Sequence, residues 1–146
     1  MNAPERFRAI VAVHVLLVRG ESVLMLRRAN TGYEDGKYSV PAGHLDGGET
    51  VTAAAEREAL EEVGAALQVR DLSFALVLHR KAEQERIDFF FAATRWDGEL
   101  FNREPGKCDE LRWAPFGSLP ENTVPYVRRG IEAYLAGERF VEFGWD

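Results

Sequence analysis

The periodic segments of this chain follow one another in an order that few folds can bury: strands, one helix, more strands, one last helix. Ile10-Val-Ala-Val-His-Val-Leu-Leu-Val-Arg19 is rich in β-branched residues and reads as a buried strand. Gly20-Glu21-Ser22 turns the chain, and Val23–Arg28 returns as a second strand. Asn30–Lys37 reads as an exposed loop, followed by a short strand near Tyr38–Val40 and a glycine-bearing loop from Pro41 to Gly48. Thr50–Val63 is the clearest helix, with Thr50 as N-cap, alanines inside and Gly64 as the stop.

Two strands, Leu72–Arg80 and Arg86–Trp96, are expected to pair across the polar Lys81–Glu85 turn. In the second of them, Ile87, Phe89 and Phe91 alternate with Asp88 and Phe90, the period of a sheet with one better-buried face. Asp97-Gly98 marks a turn, Glu110–Pro115 another strand, and Val124–Leu135 a helix ended by Gly137. A mixed β-sheet covered by helices is the natural way to bury these faces, so the expected class is α/β, an α/β/α sandwich. No repeat or linker divides the sequence, and residues 1–146 are expected to form a single domain.

The net charge of −6 disfavours a polyanion-coating role, so no polymeric nucleic acid is expected as partner. An acidic protein can still bind phosphates when a metal ion supplies positive charge. The single cysteine, Cys108, rules out an internal disulfide framework and suits a reducing, cytoplasmic setting. Met1–Arg6 precedes no long apolar run, and Ile10–Val18 is too short to span a bilayer, so no membrane association is expected.

Glu58, Glu61 and Glu62 fall at i, i+3 and i+4 on the central helix and crowd one face. Like charges at this spacing cost roughly 0.2–0.5 kcal/mol per pair. They also sit in the half of the helix where the macrodipole favours cations. Arg57 can neutralise one carboxylate but not three. A bound Mg²⁺ or Mn²⁺ would resolve the repulsion, since hard cations take oxygen ligands. A solvated acidic face is the alternative reading of these three residues alone.

Their surroundings narrow the choice. The pattern G-x5-E-x7-R-E-U-x-E-E-x-G-U, where U is a bulky aliphatic, resembles the signature of the Nudix hydrolases. Gly43, Glu49, Arg57, Glu58, Glu61, Glu62 and Gly64 match it, while Ala59 and Ala65 occupy the U positions with smaller side chains than usual. The strands and helices outside the box also follow the family's order, so the resemblance covers nearly the whole chain. It implies the Nudix fold and divalent-metal-dependent hydrolysis of a phosphoric anhydride. Glu58 and Glu62 would be the principal metal ligands, with Glu61 close by and the Gly43 carbonyl completing the set. Arg57 would orient the carboxylates through ion pairs, with Glu49 as one partner. The Trp96-Asp97-Gly98-Glu99 turn followed by Glu104 is similar to mutT-type pyrophosphatases and makes Glu104 the candidate for an extra ligand or general base, with Glu110 behind it.

For substrate binding, Arg28 resembles an arginine that contacts the nucleotide in mutT-type relatives. Arg80, Arg86 and Lys107 are weaker cationic candidates. Tyr33, Tyr38 and Phe90 could stack on a base, although each also reads as a core or rim aromatic. Asn122 could read a base edge or simply hold a turn. His44 is a candidate phosphate contact, His14 and His79 read as structural, and Cys108 has no evident base beside it. The tyrosine that marks diadenosine polyphosphate hydrolases and the proline that marks ADP-ribose hydrolases are missing downstream of the box, where residues 80–83 are Arg-Lys-Ala-Glu. The resemblance therefore implies a small-molecule nucleotide substrate, a (d)NTP cleaved to (d)NMP and pyrophosphate, by a monomer or homodimer. A nucleoside diphosphate linked to another group, such as a nucleotide sugar, and a non-catalytic nucleotide sensor are the alternatives.

Overall fold

A computed structural model describes residues 4–146. Residues 1–3, the start of the segment read above for a membrane or leader signal, lie outside the described residues. The strands are β1 (Ile10–Arg19), β2 (Ser22–Arg28), β3 (Tyr38–Ser39), β4 (Ala42–His44), β5 (Ser73–Lys81), β6 (Glu85–Ala93), β7 (Cys108–Pro115) and β8 (Phe140–Phe143), and the helices are α1 (Val51–Val63) and α2 (Pro125–Ala136). Among the described residues no helix is long and apolar enough to cross a membrane.

The β1–β2 hairpin is brief. The two strands pair only at Val18–Val23 and Arg19–Ser22. Beyond that, β1 runs parallel to β6 and carries β4 on its other side, while β2 leaves with β3 and β7 as antiparallel partners. Beside β6 lie β5, antiparallel to it, and then β8, parallel to β5. The sheet is thus mixed, as expected.

Its two faces bury different helices. Val13, Val15, Leu17 and Phe91 pack with Ala54, Ala55, Ala59 and Val63 of α1. Leu16, Leu76, Leu78 and Phe90 pack with Val127, Ile131 and Ala133 of α2. The chain is therefore an α/β/α sandwich. Alanine at positions 54, 55 and 59 keeps the buried face of α1 thin, so the helix lies close to the sheet, and Ala59 and Ala65 are both fully enclosed. Thr50 caps α1 by accepting from the Ala53 N–H at 3.1 Å, and Gly64 ends it at φ 74°, a left-handed conformation that glycine adopts without strain.

Four expectations need correction. Ala42–His44 is a strand rather than part of a loop, because it supplies the second antiparallel neighbour that β1 needs. Strand β8 was not anticipated; its exposed Phe140 and Glu142 and its short length leave almost no period to read. Strand β6 ends at Ala93, short of Trp96. Both faces of β6 are covered, and the fuller burial falls on Asp88 and Phe90, since α2 lies over that side.

Candidate active site

Strand β4 and helix α1 meet edge to face, and their contacts fix the carboxylates. The Ala42 N–H donates to Glu62 Oε2 at 2.8 Å, tying the last acidic residue of the helix to the strand. One residue on, Gly43 faces Glu58. A Cβ at Gly43 would overlap that carboxylate, with Oε2 only 2.6 Å away, so the absent side chain is the space Glu58 occupies.

Arg57 organises the N-terminal side of the group. Its guanidinium grips Glu49 with Nε to Oε2 at 3.2 Å and Nη2 to Oε1 at 2.7 Å. Its Nη1 donates to Glu58 Oε1 at 2.7 Å and lies 3.6 Å from Glu61 Oε2, while Nη2 reaches the His44 carbonyl at 3.3 Å. This is the ion-pair geometry expected of Arg57 and Glu49. The hydrogen bonds from Arg57, with that from the Asp46 N–H, hold the Glu49 carboxyl below its ordinary pKa.

Glu58 and Glu62 are shifted the other way. Burial raises Glu58 despite Arg57, and burial followed by repulsion from Glu58 raises Glu62 well above the ordinary carboxylate value. Glu104 adds to both shifts. Its loop is set by short-range bonds: the Asn102 side chain accepts from the Glu104 N–H at 3.0 Å, and the Glu104 carbonyl accepts from the Lys107 and Cys108 N–H groups at 2.9 Å. The result is one cleft of about 420 Å³ lined by Glu58, Glu61, Glu62 and Glu104 and bordered by Arg28 and Lys107.

Among the described residues the acidic groups do not converge on a ready-made cage of three or more ligands. Arg57 holds the Glu58 carboxylate on the side of Glu49. The donor set nevertheless fits a hard divalent cation. It offers the carboxylate oxygens of Glu58, Glu61, Glu62 and Glu104, and burial raises the pKa of two of these groups, Glu58 and Glu62.

Next to this cleft, sharing Arg28 and Ala42, lies a second cavity of about 340 Å³ lined also by His14, Tyr33, His44, Arg80, Arg86 and Tyr126. Arg80 and Arg86 are the weaker cationic candidates in the sequence, where neither stands near Arg28. They meet because Arg80 and Arg86 are opposite partners across β5 and β6. Pairing between separate strands leaves no mark in local sequence.

Several candidates fall elsewhere. Tyr38 is buried in the core and its hydroxyl donates to Glu110 Oε1 at 2.7 Å, so its ring has no face to offer a base. Phe90 is fully enclosed between sheet and helix. Asn122 spends its amide on the Gly36 carbonyl at 2.8 Å and acts as a clip between turns. Glu110, the fallback ligand, is held on β7 by Tyr38 and does not line the carboxylate cleft. Burial pushes the Cys108 thiol up in pKa, the wrong direction for a nucleophile. His14 is structural in part and lines the second cavity: burial lowers it to about 4, it stays neutral, and its Nε2 pairs with the Tyr126 hydroxyl at 2.9 Å.

An α/β/α sandwich that presents a glutamate-lined cleft between a glycine-bearing strand and the C-terminal half of a helix defines a class of metal-assisted hydrolase. The NUDIX domain family matches residues 8–134, and the chain belongs to the Nudix hydrolase family, whose members use divalent metal ions. It is similar to the 8-oxo-dGTP diphosphatase of Escherichia coli K12, 29% identical over 121 residues, covering 82% of this chain and 93% of that protein. It is also 29% identical over 114 residues to the NAD-capped RNA hydrolase NudC of Chromobacterium violaceum, covering 78% of this chain but spanning only 41% of that longer protein. Among solved structures, the MutT NUDIX hydrolase of Burkholderia pseudomallei superimposes with a TM-score of 0.80 at 25% identity, over 87% of this chain and 98% of that one. The MutT protein of Methanosarcina mazei Go1 shares the fold, with a TM-score of 0.76 at 20% identity over 88% of this chain and 94% of that one.

Proposed function

We propose that this protein is a divalent-metal-dependent pyrophosphohydrolase that cleaves (d)NTP to (d)NMP and pyrophosphate, with Mg²⁺ or Mn²⁺ as the ion. The observation that carries the reading is the single cleft in which Glu58, Glu61, Glu62 and Glu104 face Arg28. Glu58, Glu61, Glu62 and Glu104, with the Gly43 carbonyl, would hold the ion. When bound, it neutralises phosphate charge and lowers the pKa of the attacking water.

The protein's own residues supply the remainder. Arg57 fixes Glu58 in place, and the Ala42 N–H fixes Glu62. The Glu104 side chain makes no hydrogen bond or ion pair among the described residues yet lines the cleft, so it serves either as the extra ligand or, in place of that, as the base that accepts the water proton. Arg28, held by the Tyr33 carbonyl at 2.7 Å and Thr31 Oγ1 at 3.1 Å, meets negative charge on the phosphate chain. The net charge of −6 suits a small nucleotide better than a polymer.

The test is turnover of NTPs, dNTPs, nucleotide sugars and dinucleotides in Mg²⁺ or Mn²⁺, with Glu62→Gln beside the wild type. Metal-dependent release of NMP and pyrophosphate, lost by about a hundredfold or more in the variant, is the expected result. Turnover of capped diphosphates alone would replace it with the nucleotide-sugar reading, and tight binding without cleavage would make the protein a sensor.

A further inference from the structure

Helix α1 ends with carbonyls that need donors from outside, because the last turn of a helix supplies none. That turn also holds no basic residue, although a cation is favoured there and Glu58, Glu61 and Glu62 crowd the same half. Both needs are met by a segment about forty residues further on. The Phe101 and Arg103 N–H groups donate to the carbonyls of Val63 and Glu62, each at 3.1 Å. Arg103 Nη1 donates to the Leu60 carbonyl at 2.8 Å and so brings the missing cation. Just before, Ala66 and Asp97 exchange two backbone hydrogen bonds at 3.0 Å. The chain from Asp97 to Arg103 is thus laid along the end of α1, and Glu104 follows the residue that bonds the Glu62 carbonyl.

The far end of the segment is fixed beside β2. The Lys107 carbonyl accepts from the Ala29 N–H at 2.9 Å, and the Gly106 carbonyl from Asn30 Nδ2 at 3.2 Å. Asn102 joins the two ends. Its Oδ1 accepts from the Glu104 N–H at 3.0 Å, and its Nδ2 donates at 2.6 Å to the carbonyl of Cys108, the first residue of β7. The Glu104 carbonyl is taken in turn by the Lys107 and Cys108 N–H groups. Both backbone polar groups of Glu104 are therefore held, while its side chain is left to line the carboxylate cleft. A fixed backbone beneath an unengaged carboxylate is what a positioned ligand or base requires.

We propose that Asn102 is a positioning residue for the hydrolytic reaction: it closes the 102–108 loop across its base and so sets the Glu104 carboxylate in the cleft with Glu58 and Glu62. The inference rests on the pyrophosphohydrolase reading above, since either role of Glu104, ligand or base, needs the same placement. Asn102 does not line the cleft and acts through Glu104, with the docking of Arg103 on α1 as its anchor.

The test compares wild type, Asn102→Ala, Asn102→Ser and Glu104→Gln with the double variant Asn102→Ala/Glu104→Gln. The readings are kcat/KM for ATP and GTP in Mg²⁺, and urea midpoints. Amide hydrogen exchange on the metal-free proteins supplies a readout separate from turnover. Glu104→Gln should lower kcat/KM by about 100-fold, and Asn102→Ala by about tenfold or more. In the Glu104→Gln background the Asn102→Ala change should cost less than about threefold, since two groups that act as a unit do not add. Asn102→Ser, whose hydroxyl can still accept from the Glu104 N–H, should regain part of the loss. It enters the same cycle should Asn102→Ala fail to fold. The Glu104 amide should exchange about tenfold or more faster in Asn102→Ala, with the interior amides of α1 unchanged.

An equal loss in the Glu104→Gln background would make Asn102 a merely structural residue and overturn the assignment. So would activity of Asn102→Ala within about threefold of wild type. A Glu104→Gln variant as active as wild type would leave nothing to position, overturning the assignment while sparing the hydrolase reading. A wild type that cleaves nothing would refute the pyrophosphohydrolase reading, and exchange of the Glu104 amide would then alone uphold or overturn Asn102 as the clasp of the loop.

Discussion

Gly43→Ala is the most economical probe of the carboxylate geometry. The new methyl group would sit within 2.6 Å of Glu58 Oε2 and closer still to Oε1 and Cδ, whereas ordinary contact begins at 3.4 Å. The Glu58 carboxylate must therefore retreat by roughly 1 Å, since its carbon and oxygen atoms cannot be compressed. Its 2.7 Å hydrogen bond from Arg57 Nη1 would then pass beyond useful length. Glu58 ends in a flexible side chain, so the fold itself should lose only about 1 kcal/mol, the value of that hydrogen bond. Catalysis should suffer more, because a displacement of about 1 Å in a positioned group costs on the order of 100-fold. Urea unfolding and kcat/KM for a nucleoside triphosphate in Mg²⁺ measure the two quantities on the same preparation. Activity within about threefold of wild type would show that Glu58 can serve from elsewhere, and the positioning argument would fail.

Two further outcomes follow from burial. Glu62 is raised in pKa by folding, so without added divalent metal its contribution to stability is fully present below the ordinary carboxylate pKa and is lost as pH rises through the folded value. Urea midpoints for wild type and Glu62→Gln in chelator should therefore separate progressively with rising pH, with the variant the more stable at neutrality; parallel curves would contradict the burial of an uncompensated charge. On the other face, a Cβ at Gly130 would meet Phe90 Cζ at 2.5 Å and Cε2 at 2.6 Å, and Phe90 is fully enclosed. Gly130→Ala should cost about 1–3 kcal/mol by urea unfolding, and a smaller residue at position 90 should restore part of it; an unchanged midpoint would mean that α2 can lift off the sheet freely.

Much of this protein was legible in one dimension, where the physics is local. The Thr50 cap, the Gly64 stop and the i, i+3, i+4 spacing of Glu58, Glu61 and Glu62 depend on residues within a few positions of one another, and the helix forms as they dictate. So does the pairing of Arg57 with Glu49 two turns away. Period alone also established a mixed α/β order, although it understated how fully both faces of β6 are covered.

What only the tertiary structure decided lies between segments distant in the chain. Strand β4 is held by β1, some thirty residues earlier. That pairing is what brings the Ala42 N–H to Glu62 and lets Gly43 admit Glu58. Tyr38 and Phe90 looked available for stacking because an aromatic residue reads the same in sequence whether it faces solvent or α2; burial settled both. The cationic cavity draws Arg28 from β2, Arg80 from β5 and Arg86 from β6. Each is an unremarkable arginine near a strand end until strand register sets Arg80 opposite Arg86, and β2 and β4, two of the three strands paired with β1, bring Arg28 and His44 to the same rim. Side-chain chemistry is written in the sequence, but the concentration of like charge in one cavity is a property of register, and register is fixed by long-range hydrogen bonding and burial.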